Sequence, residues 1–183
     1  MLGFAPRRCA GGRLARDAAS PAVNFPAFER RSPNRDAAPP NERLGVLFHH
    51  SELDFEATID RMLQPENKVS YHCLIGADGR RCTLVQDTEI AWHAGASHFL
   101  GRNRCNDFML GVAFAGDTDQ IPLTSSQIAS ALEWLAERWI DRRWTLERMT
   151  DHRQVSPGRK RDLNPIEWER LRTAISVRFT VGD

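Results

Sequence analysis

Residues 44–50 read LGVLFHH, an apolar run of five residues that ends in two histidines. A short uncharged run of this kind is typical of a buried strand. Polar side chains at the end of a buried strand lie where a rigid sheet presents functional groups to solvent. The stretch therefore predicts a buried strand that delivers His49 and His50 to the edge of a sheet.

More strands and helices are predicted on the C-terminal side of this run. FEATIDRMLQ, at residues 55–64, has apolar residues at helical spacing and predicts a short helix. SYHCLIGADGRRCTLVQ, at 70–86, predicts two strands joined by an Asp-Gly turn. A polar loop is predicted over 92–107. FMLGVAFAG, at 108–116, predicts another buried strand.

Two later helices have clear N-terminal signals. Thr124 and Gln127 form a capping-box pattern, and Asn164 followed by Pro165 gives an N-cap and a first helical residue. Each signal precedes an apolar stripe, which comprises Ile128, Ala131, Leu132, Leu135 and Trp139 in the first helix and Trp168, Leu171 and Ile175 in the second. The interspersed strands and helices predict an α/β fold, with a central mixed β-sheet flanked by helices and a cleft at the strand ends.

The composition is that of one ordinary globular domain. Lys and Arg number 25 against 24 Asp and Glu over 183 residues, so no bulk attraction to nucleic acid is implied. No apolar run has the length of a membrane span. Residues 1–40 contain six of the ten prolines and seven arginines. We therefore expect a loosely ordered Pro/Arg-rich extension over 1–40 and the folded domain over 41–183.

The four cysteines are widely spaced, and none forms a CxxC pair. This spacing argues against zinc-ribbon and thioredoxin-like sites and favours reduced thiols. No secretory signal peptide is recognisable in RRCAGGRLARDAAS, at residues 7–20, because the apolar segment is missing. We therefore expect a cytoplasmic protein.

DHRQVSPGRKRD, at residues 151–162, holds a histidine and an aspartate on either side of a Ser-Pro-Gly turn. Together with His49, the residues His152 and Asp162 make a candidate catalytic zinc site of two imidazoles and one carboxylate, with an open fourth position. The spacing matches no generic metal motif, and isolated histidines at strand ends are usually structural. A cysteine hydrolase that uses Cys73 is a weaker alternative, because that cysteine lies in an apolar strand.

Six motifs, in order, resemble the type 2 N-acetylmuramoyl-L-alanine amidase family. They are SPN at 32–34, GVLFHHS at 45–51, VSYHCLIGADG at 69–79, AWHAGAS at 91–97, GRNRCNDF at 101–108 and DHRQVSPGRKRD at 151–162. The fourth and fifth motifs are most similar to the AmpD-like branch of the family, which recycles cell-wall fragments.

The resemblance implies zinc bound by His49, His152 and Asp162, with Lys160 stabilising the oxyanion. The implied reaction is hydrolysis of the amide between N-acetylmuramic acid and L-alanine, in muropeptides or peptidoglycan. Arg104 falls where the family binds a stem-peptide carboxylate. The remaining predicted substrate-binding residues, which line the groove, are Trp92, His93 and His50.

One position departs from the AmpD-like pattern. The family glutamate at the third residue of the GIE strand is replaced by Ala113, and alternation places Gly111, Ala113 and Ala115 on one bare face. Phage amidases of the family also lack this glutamate and have a tyrosine on the preceding hairpin, which falls on Tyr71. We therefore expect Tyr71 to be catalytic, and the alternative is a muropeptide-binding module of the same fold with weakened catalysis.

Overall fold

The computed structural model describes residues 24–37 and 43–180. In chain order the strands are β1 Ala27–Glu29, β2 Arg35–Ala37, β3 Gly45–His50, β4 Cys73–Ile75, β5 Arg81–Thr83, β6 Glu89–Ala91, β7 His98–Phe99, β8 Arg102–Asn103, β9 Met109–Phe114 and β10 Met149–Asp151. The helices are α1 Phe55–Leu63, α2 Ser125–Trp139, α3 His152–Val155 and α4 Pro165–Phe179, with short 3-10 turns at Pro65–Asn67, Cys105–Asp107 and Leu146–Arg148.

Six of these strands form the central sheet, in the order β1-β5-β4-β9-β3-β10. The pairs β4–β9, β9–β3 and β3–β10 are parallel, whereas β4 and β5 form an antiparallel hairpin. The sheet is therefore mixed, as the sequence predicted. Because β9, β3 and β10 are parallel, their carboxyl ends lie at one edge, where open α/β sheets bind ligands.

The predicted long helices α2 and α4 cover one face of the sheet. The capping box of α2 is present, and Asn164 caps α4. Ala131 and Leu135 of α2 and Leu171 of α4 pack on alternate strand residues. These strand residues are Val46, Phe48, Leu110, Val112 and Phe114. This apolar layer forms the main core and holds the strand ends rigid.

The opposite face carries Leu47 and His49 of β3 and is covered by α1 and the segment between β6 and β9. The sequence predicted a polar loop over 92–107, but this segment contains the two-stranded hairpin β7–β8 and a 3-10 turn. Phe108 and Cys105 are fully buried and anchor the segment on the sheet. The face with the longer loop is therefore the one that bears His49.

Part of the expected N-terminal extension belongs to the domain. β1 pairs in parallel with β5, and β2 pairs antiparallel with β6. Ser32 and Asn34 are buried and donate hydrogen bonds to the carbonyl of Met62, at the end of α1. These buried side chains fix residues 24–37, so a loosely ordered extension over 1–40 is wrong for that segment. Residues 1–23 and 38–40 of the predicted extension lie outside the described residues.

Among the residues that the structure describes, no helix has both the length and the apolar character required to cross a bilayer. The longest helices, α2 and α4, have 15 residues each.

Candidate metal centre and active site

The carboxyl ends of β3 and β10 bring two histidines together. His49 is the fifth residue of β3, and His152 is the first residue of α3, directly after β10. Asp151 caps α3 by accepting a hydrogen bond from the backbone N–H of Gln154 at 2.9 Å. This cap ends the strand at a fixed residue and turns the His152 ring toward His49.

A tight turn returns Asp162 to the same place. The backbone N–H of Ser156 donates to the carbonyl of His152, and that of Lys160 donates to Ser156. The carbonyl of Asp162 then accepts from the N–H of Arg153 at 2.7 Å. The Ser-Pro-Gly turn therefore folds back on α3, and the aspartate ten residues after His152 lies beside it.

Three donor atoms converge at this point. His49 Nδ1 lies 3.0 Å from His152 Nδ1 and 3.1 Å from Asp162 Oδ2, and His152 Nδ1 lies 3.2 Å from Asp162 Oδ2. All three side chains are buried. The structure therefore brings together the three residues that the sequence proposed as metal ligands.

The electrostatics of the three groups match the forms that bind a cation. Burial, together with the neighbouring His152, lowers the pKa of His49 to about 4. Burial raises the pKa of Asp162, but the two neighbouring imidazoles, His152 and His49, outweigh it and hold that pKa well below its usual range. A neutral His49 and an ionised Asp162 both offer lone pairs at neutral pH.

The second ring nitrogen of each histidine is also engaged. His152 Nε2 donates to the carbonyl of Ala94 at 3.1 Å. His49 Nε2 lies 3.1 Å from Nδ1 of His93. The Arg159 guanidinium also donates to the carbonyl of Ala94 and fixes its loop against the turn after α3.

The arrangement fits a metal ion on its own chemistry. A carbonyl oxygen only accepts, so the ring proton of His152 lies on Nε2 and its Nδ1 carries a lone pair. Two such lone pairs and a carboxylate oxygen at 3.0–3.2 Å would repel one another without a cation between them. Tetrahedral zinc with bonds near 2.0–2.1 Å has ligand atoms about 3.3 Å apart. The donor set therefore matches a metal site of the zinc type.

A cleft of two lobes opens at this centre. One lobe, of about 330 Å³, is lined by residues that include Tyr71, Glu52, Arg61 and Asn67. The other, of about 350 Å³, is lined by residues that include Trp92, Lys68, Asn106 and Arg159. The lobes meet at His93, His152 and Lys160, which line both.

Lys160 and Tyr71 lie at the cleft as expected. The Lys160 side chain is exposed, and its ammonium makes no hydrogen bond or ion pair with a described residue. The Tyr71 ring centroid lies 5.2 Å from that of His49. Burial, reinforced by the Asp162 charge, raises the pKa of Tyr71, so its hydroxyl keeps its proton. Within the described chain this hydroxyl has no hydrogen-bond partner, and it is free to bind a ligand.

The packing around Ala113, where the family glutamate is missing, differs from the bare wall that the sequence led us to expect. Ala113 is fully buried, lies in register with His49 and packs in the same cluster as Tyr71. The His93 ring covers Gly111, where a Cβ would come within 2.5 Å of its Cγ. The face of Gly111, Ala113 and Ala115 is therefore packed, and the expectation of a bare wall is wrong.

The predicted substrate-binding residues differ in their positions. Trp92 lines the second lobe, and its indole N–H donates to Asp36 at 2.8 Å. His50 lines the first lobe, with its Nδ1 accepting from Thr118. Both nitrogens of His93 are already hydrogen-bonded within the protein, so only its ring edge meets the cleft.

Arg104 is the predicted site residue that the structure leaves outside the cleft lining. Its side chain is 79% exposed and forms an ion pair with Asp107 at 3.2 Å. It lies at φ 62°, at the start of the Cys105–Asp107 turn. Arg104 therefore stands on the loop beyond the second lobe, and its predicted contact with a carboxylate remains a prediction.

Several cleft residues were missed by the sequence reasoning. Arg61 and Lys68 flank the cleft with exposed side chains, and Glu52 adds a carboxylate at φ 64°. Glu52 and Lys68 stand in polar segments without a strand or helix signal, and Arg61 is on the exposed side of α1, so no periodic pattern could identify them as cleft residues. The alternative nucleophile Cys73 is fully buried, and burial raises the pKa of its thiol to about 12. A cysteine hydrolase at that position is therefore excluded.

Comparison with known proteins identifies the family. A family model described as N-acetylmuramoyl-L-alanine amidase matches residues 39–165. The chain belongs to this amidase family. The family and the hydrolase class that the sequence motifs predicted are therefore confirmed.

The individual relatives cover most of the amidase chain. 1,6-Anhydro-N-acetylmuramyl-L-alanine amidase AmpD of Escherichia coli K12 is 33% identical over an alignment of 172 residues, which covers 81% of this chain and 92% of the relative. AmpD of Haemophilus influenzae is 34% identical over 167 residues, with 79% and 90% covered.

Solved structures of the family share the fold. A crystal structure of a selenomethionine AmpD derivative superposes with a TM-score of 0.67 at 29% identity, covering 81% of this amidase and 94% of that chain. E. coli AmiD, in a complex with anhydro-N-acetylmuramic acid-L-Ala-D-γ-Glu-L-Lys, gives a TM-score of 0.64 at 25% identity, with 75% and 59% covered. The predicted central mixed sheet flanked by helices is therefore confirmed.

Proposed function

We propose that this protein is a zinc-dependent amidase that hydrolyses the amide between N-acetylmuramic acid and L-alanine in muropeptides. The observation that carries the proposal is the convergence of His49 Nδ1, His152 Nδ1 and Asp162 Oδ2 at the floor of a cleft. AmpD relatives named for this cleavage cover about four fifths of the chain, which supports the same substrate class.

His49, His152 and Asp162 would hold the metal by two nitrogens and one oxygen. Zinc supplies a Lewis acid for the amide carbonyl and lowers the pKa of water to about 7. The two ring nitrogens that face away from the metal are hydrogen-bonded, which keeps both imidazoles in the orientation that presents Nδ1. The protein thereby builds the site before the substrate arrives.

Lys160 and Tyr71 would act on the charge that develops at the carbonyl oxygen. Lys160 lines both lobes beside the metal ligands, where its ammonium would stabilise an oxyanion. Tyr71 has a raised pKa, so its phenol serves as a hydrogen-bond donor and not as a base at neutral pH. Tyr71 would therefore donate a hydrogen bond to the oxyanion or orient the attacking water.

The two lobes would bind the two sides of the scissile amide. The lobes meet at the proposed ligand His152 and at Lys160, which would put the reacting carbonyl between them. Arg61 in one lobe and Lys68 in the other have no ion-pair partner among the described residues, which suits a substrate with several carboxylates. The three described cysteines are free thiols, consistent with the cytoplasmic location that the sequence predicted.

The second candidate is a muropeptide-binding module that no longer cleaves its ligand. Ala113 favours it, because an alanine occupies the position where AmpD-like enzymes have a catalytic glutamate. The presence of all three ligand residues and of Tyr71 beside His49 favours catalysis instead.

Mass spectrometry of the products separates the two. Purified anhydro-muropeptide and intact peptidoglycan are each incubated with the protein, with and without chelator. We expect release of the intact stem peptide, loss of this activity with chelator and its return with added zinc. Binding of muropeptide without any cleavage in the zinc-loaded protein would establish the binding module.

A further inference from the structure

The Nε2 atom of His49 is hydrogen-bonded to another histidine. It lies 3.1 Å from His93 Nδ1, and His93 Nε2 lies 3.2 Å from the carbonyl of Met109. The carbonyl only accepts, so the ring proton of His93 is on Nε2 and its Nδ1 is an acceptor. The proton between the rings must then come from His49 Nε2, which leaves His49 Nδ1 with a lone pair toward Asp162.

The His93 ring is held rigidly in this position. Its backbone N–H donates to Oδ1 of Asn106 at 3.1 Å, and its side chain is 5% exposed. The ring rests on Gly111, where even a methyl group would overlap it. A flip of the ring would break both of its hydrogen bonds, and the packing on Gly111 leaves the ring no room to move toward β9, so the direction of these hydrogen bonds is fixed.

The two histidine ligands are thus oriented by different means. His152 donates directly to the carbonyl of Ala94, whereas His49 reaches a carbonyl only through the ring of His93. Metal-ligating histidines commonly donate their other N–H to a carbonyl or carboxylate, and removal of that partner typically weakens metal binding 10–100-fold. The partner of His49 is the side chain of His93, so it can be removed by a substitution, whereas a main-chain carbonyl cannot.

We propose that His93 is a positioning residue that fixes the tautomer of His49, so that Nδ1 of His49 is ready to bind the metal. This inference rests on the proposed function, because it requires metal at His49, His152 and Asp162. It assigns His93 a role different from the substrate contact that the sequence predicted.

The test compares zinc affinity in three variants, measured by competition with a chromophoric chelator. His93→Leu should bind zinc about 10–100-fold more weakly than the wild type. His93→Asn should lose less, because its Oδ1 stands near the position of Nδ1 and accepts from His49. The matched control is His72→Asn, since His72 is buried 5.7 Å from the His93 ring centroid but contacts Gly111 and Glu89. It should bind zinc like the wild type.

Nitrogen-15 NMR of the histidine rings gives a second readout that uses only zinc-loaded wild type. His49 should carry hydrogen on Nε2 and show a coupling to His93 Nδ1 across the hydrogen bond. Equal zinc affinity in His93→Leu and wild type, equal losses in the Leu and Asn variants, or a His49 without hydrogen on Nε2 would overturn the inference. A wild type that binds no zinc would instead defeat the proposed function. If His93→Leu fails to fold, the Asn variant and the NMR spectrum decide.

Discussion

The two walls of the cleft are built differently. On the metal side, His49, His152 and Asp162 are buried, and each histidine ring has its Nε2 hydrogen-bonded and its Nδ1 facing the other donor atoms. On the facing side, the Tyr71 hydroxyl has no partner among the described residues, and Ala113 offers no polar atom. The protein itself orients the polar groups of the first wall, whereas the facing wall provides a single phenol beside the ammonium of Lys160.

This difference separates metal binding from proton handling. The ligand wall depends on a network in which each group fixes the next, so it tolerates little change. The facing wall is an apolar cluster that includes Tyr71, Leu74 and Ala113, and none of these three side chains forms a hydrogen bond with His49, His152 or Asp162. An alanine at position 113 is therefore compatible with the observed arrangement of the three candidate ligands.

The largest expected effect comes from breaking the ligand wall. His49→Ala or His152→Ala leaves two protein ligands, so the zinc content should fall from about one per chain to background. Activity should fall with it by about 10³-fold or more, since a metal supplies several kcal/mol of transition-state stabilisation. Elemental analysis and product release measure both. His98→Ala, at an exposed histidine of β7, is the control and should keep both. Full zinc content in the ligand variants would refute the assignment.

The next effect concerns the facing wall. Tyr71→Phe removes a hydroxyl but keeps the packing, so zinc should stay bound while kcat falls about 10²-fold. Because the pKa of Tyr71 is raised above its usual value near 10, the rate should show no decline from its ionisation at or below about pH 10. Steady-state kinetics over pH test this. A variant with unchanged kcat would show that Tyr71 only packs against His49.

Ala113→Glu tests whether the glutamate of AmpD-like enzymes and the tyrosine of phage amidases perform the same task. When it is combined with Tyr71→Phe, we expect Ala113→Glu to restore at most the ~10²-fold loss of rate that Tyr71→Phe causes. The added side chain enters a filled cluster, so thermal denaturation should also show a loss of about 1–3 kcal/mol in stability. Ala113→Gln adds the same volume without a carboxylate and is the matched control. A rescue by glutamine equal to that by glutamate would rule out proton handling at this position.

The smallest effect is expected at Arg104, outside both walls. Its exposed ion pair with Asp107 should contribute under about 1 kcal/mol to stability. If Arg104 contacts a stem-peptide carboxylate, Arg104→Ala should raise KM by about tenfold or less, with kcat unchanged. A kinetic comparison of substrates with and without the peptide carboxylates measures this. A proportional fall in kcat would place Arg104 nearer the reaction than the structure does.

The local pattern of the sequence was enough for most of the elements. The apolar run before His49 predicted β3, and the capping signals at Thr124 and Asn164 predicted the starts of α2 and α4. These predictions succeed because strand periodicity, helix periodicity and helix capping all act between residues that are close in sequence. The segment from residue 24 to 37 was misjudged because its polar, proline-containing composition hides two short strands that form only through pairing with β5 and β6.

The sequence by itself determined which residues could bind a metal, and the six motifs determined the family. Only the tertiary structure decided how these residues are held. His49 meets His152 and Asp162 across separations of 103 and 113 residues, because β3 pairs with β10. The partner of its other nitrogen, His93, is 44 residues away on a loop that packs over Gly111. Hydrogen-bond direction depends on such long-range packing, and no local pattern of residues encodes it.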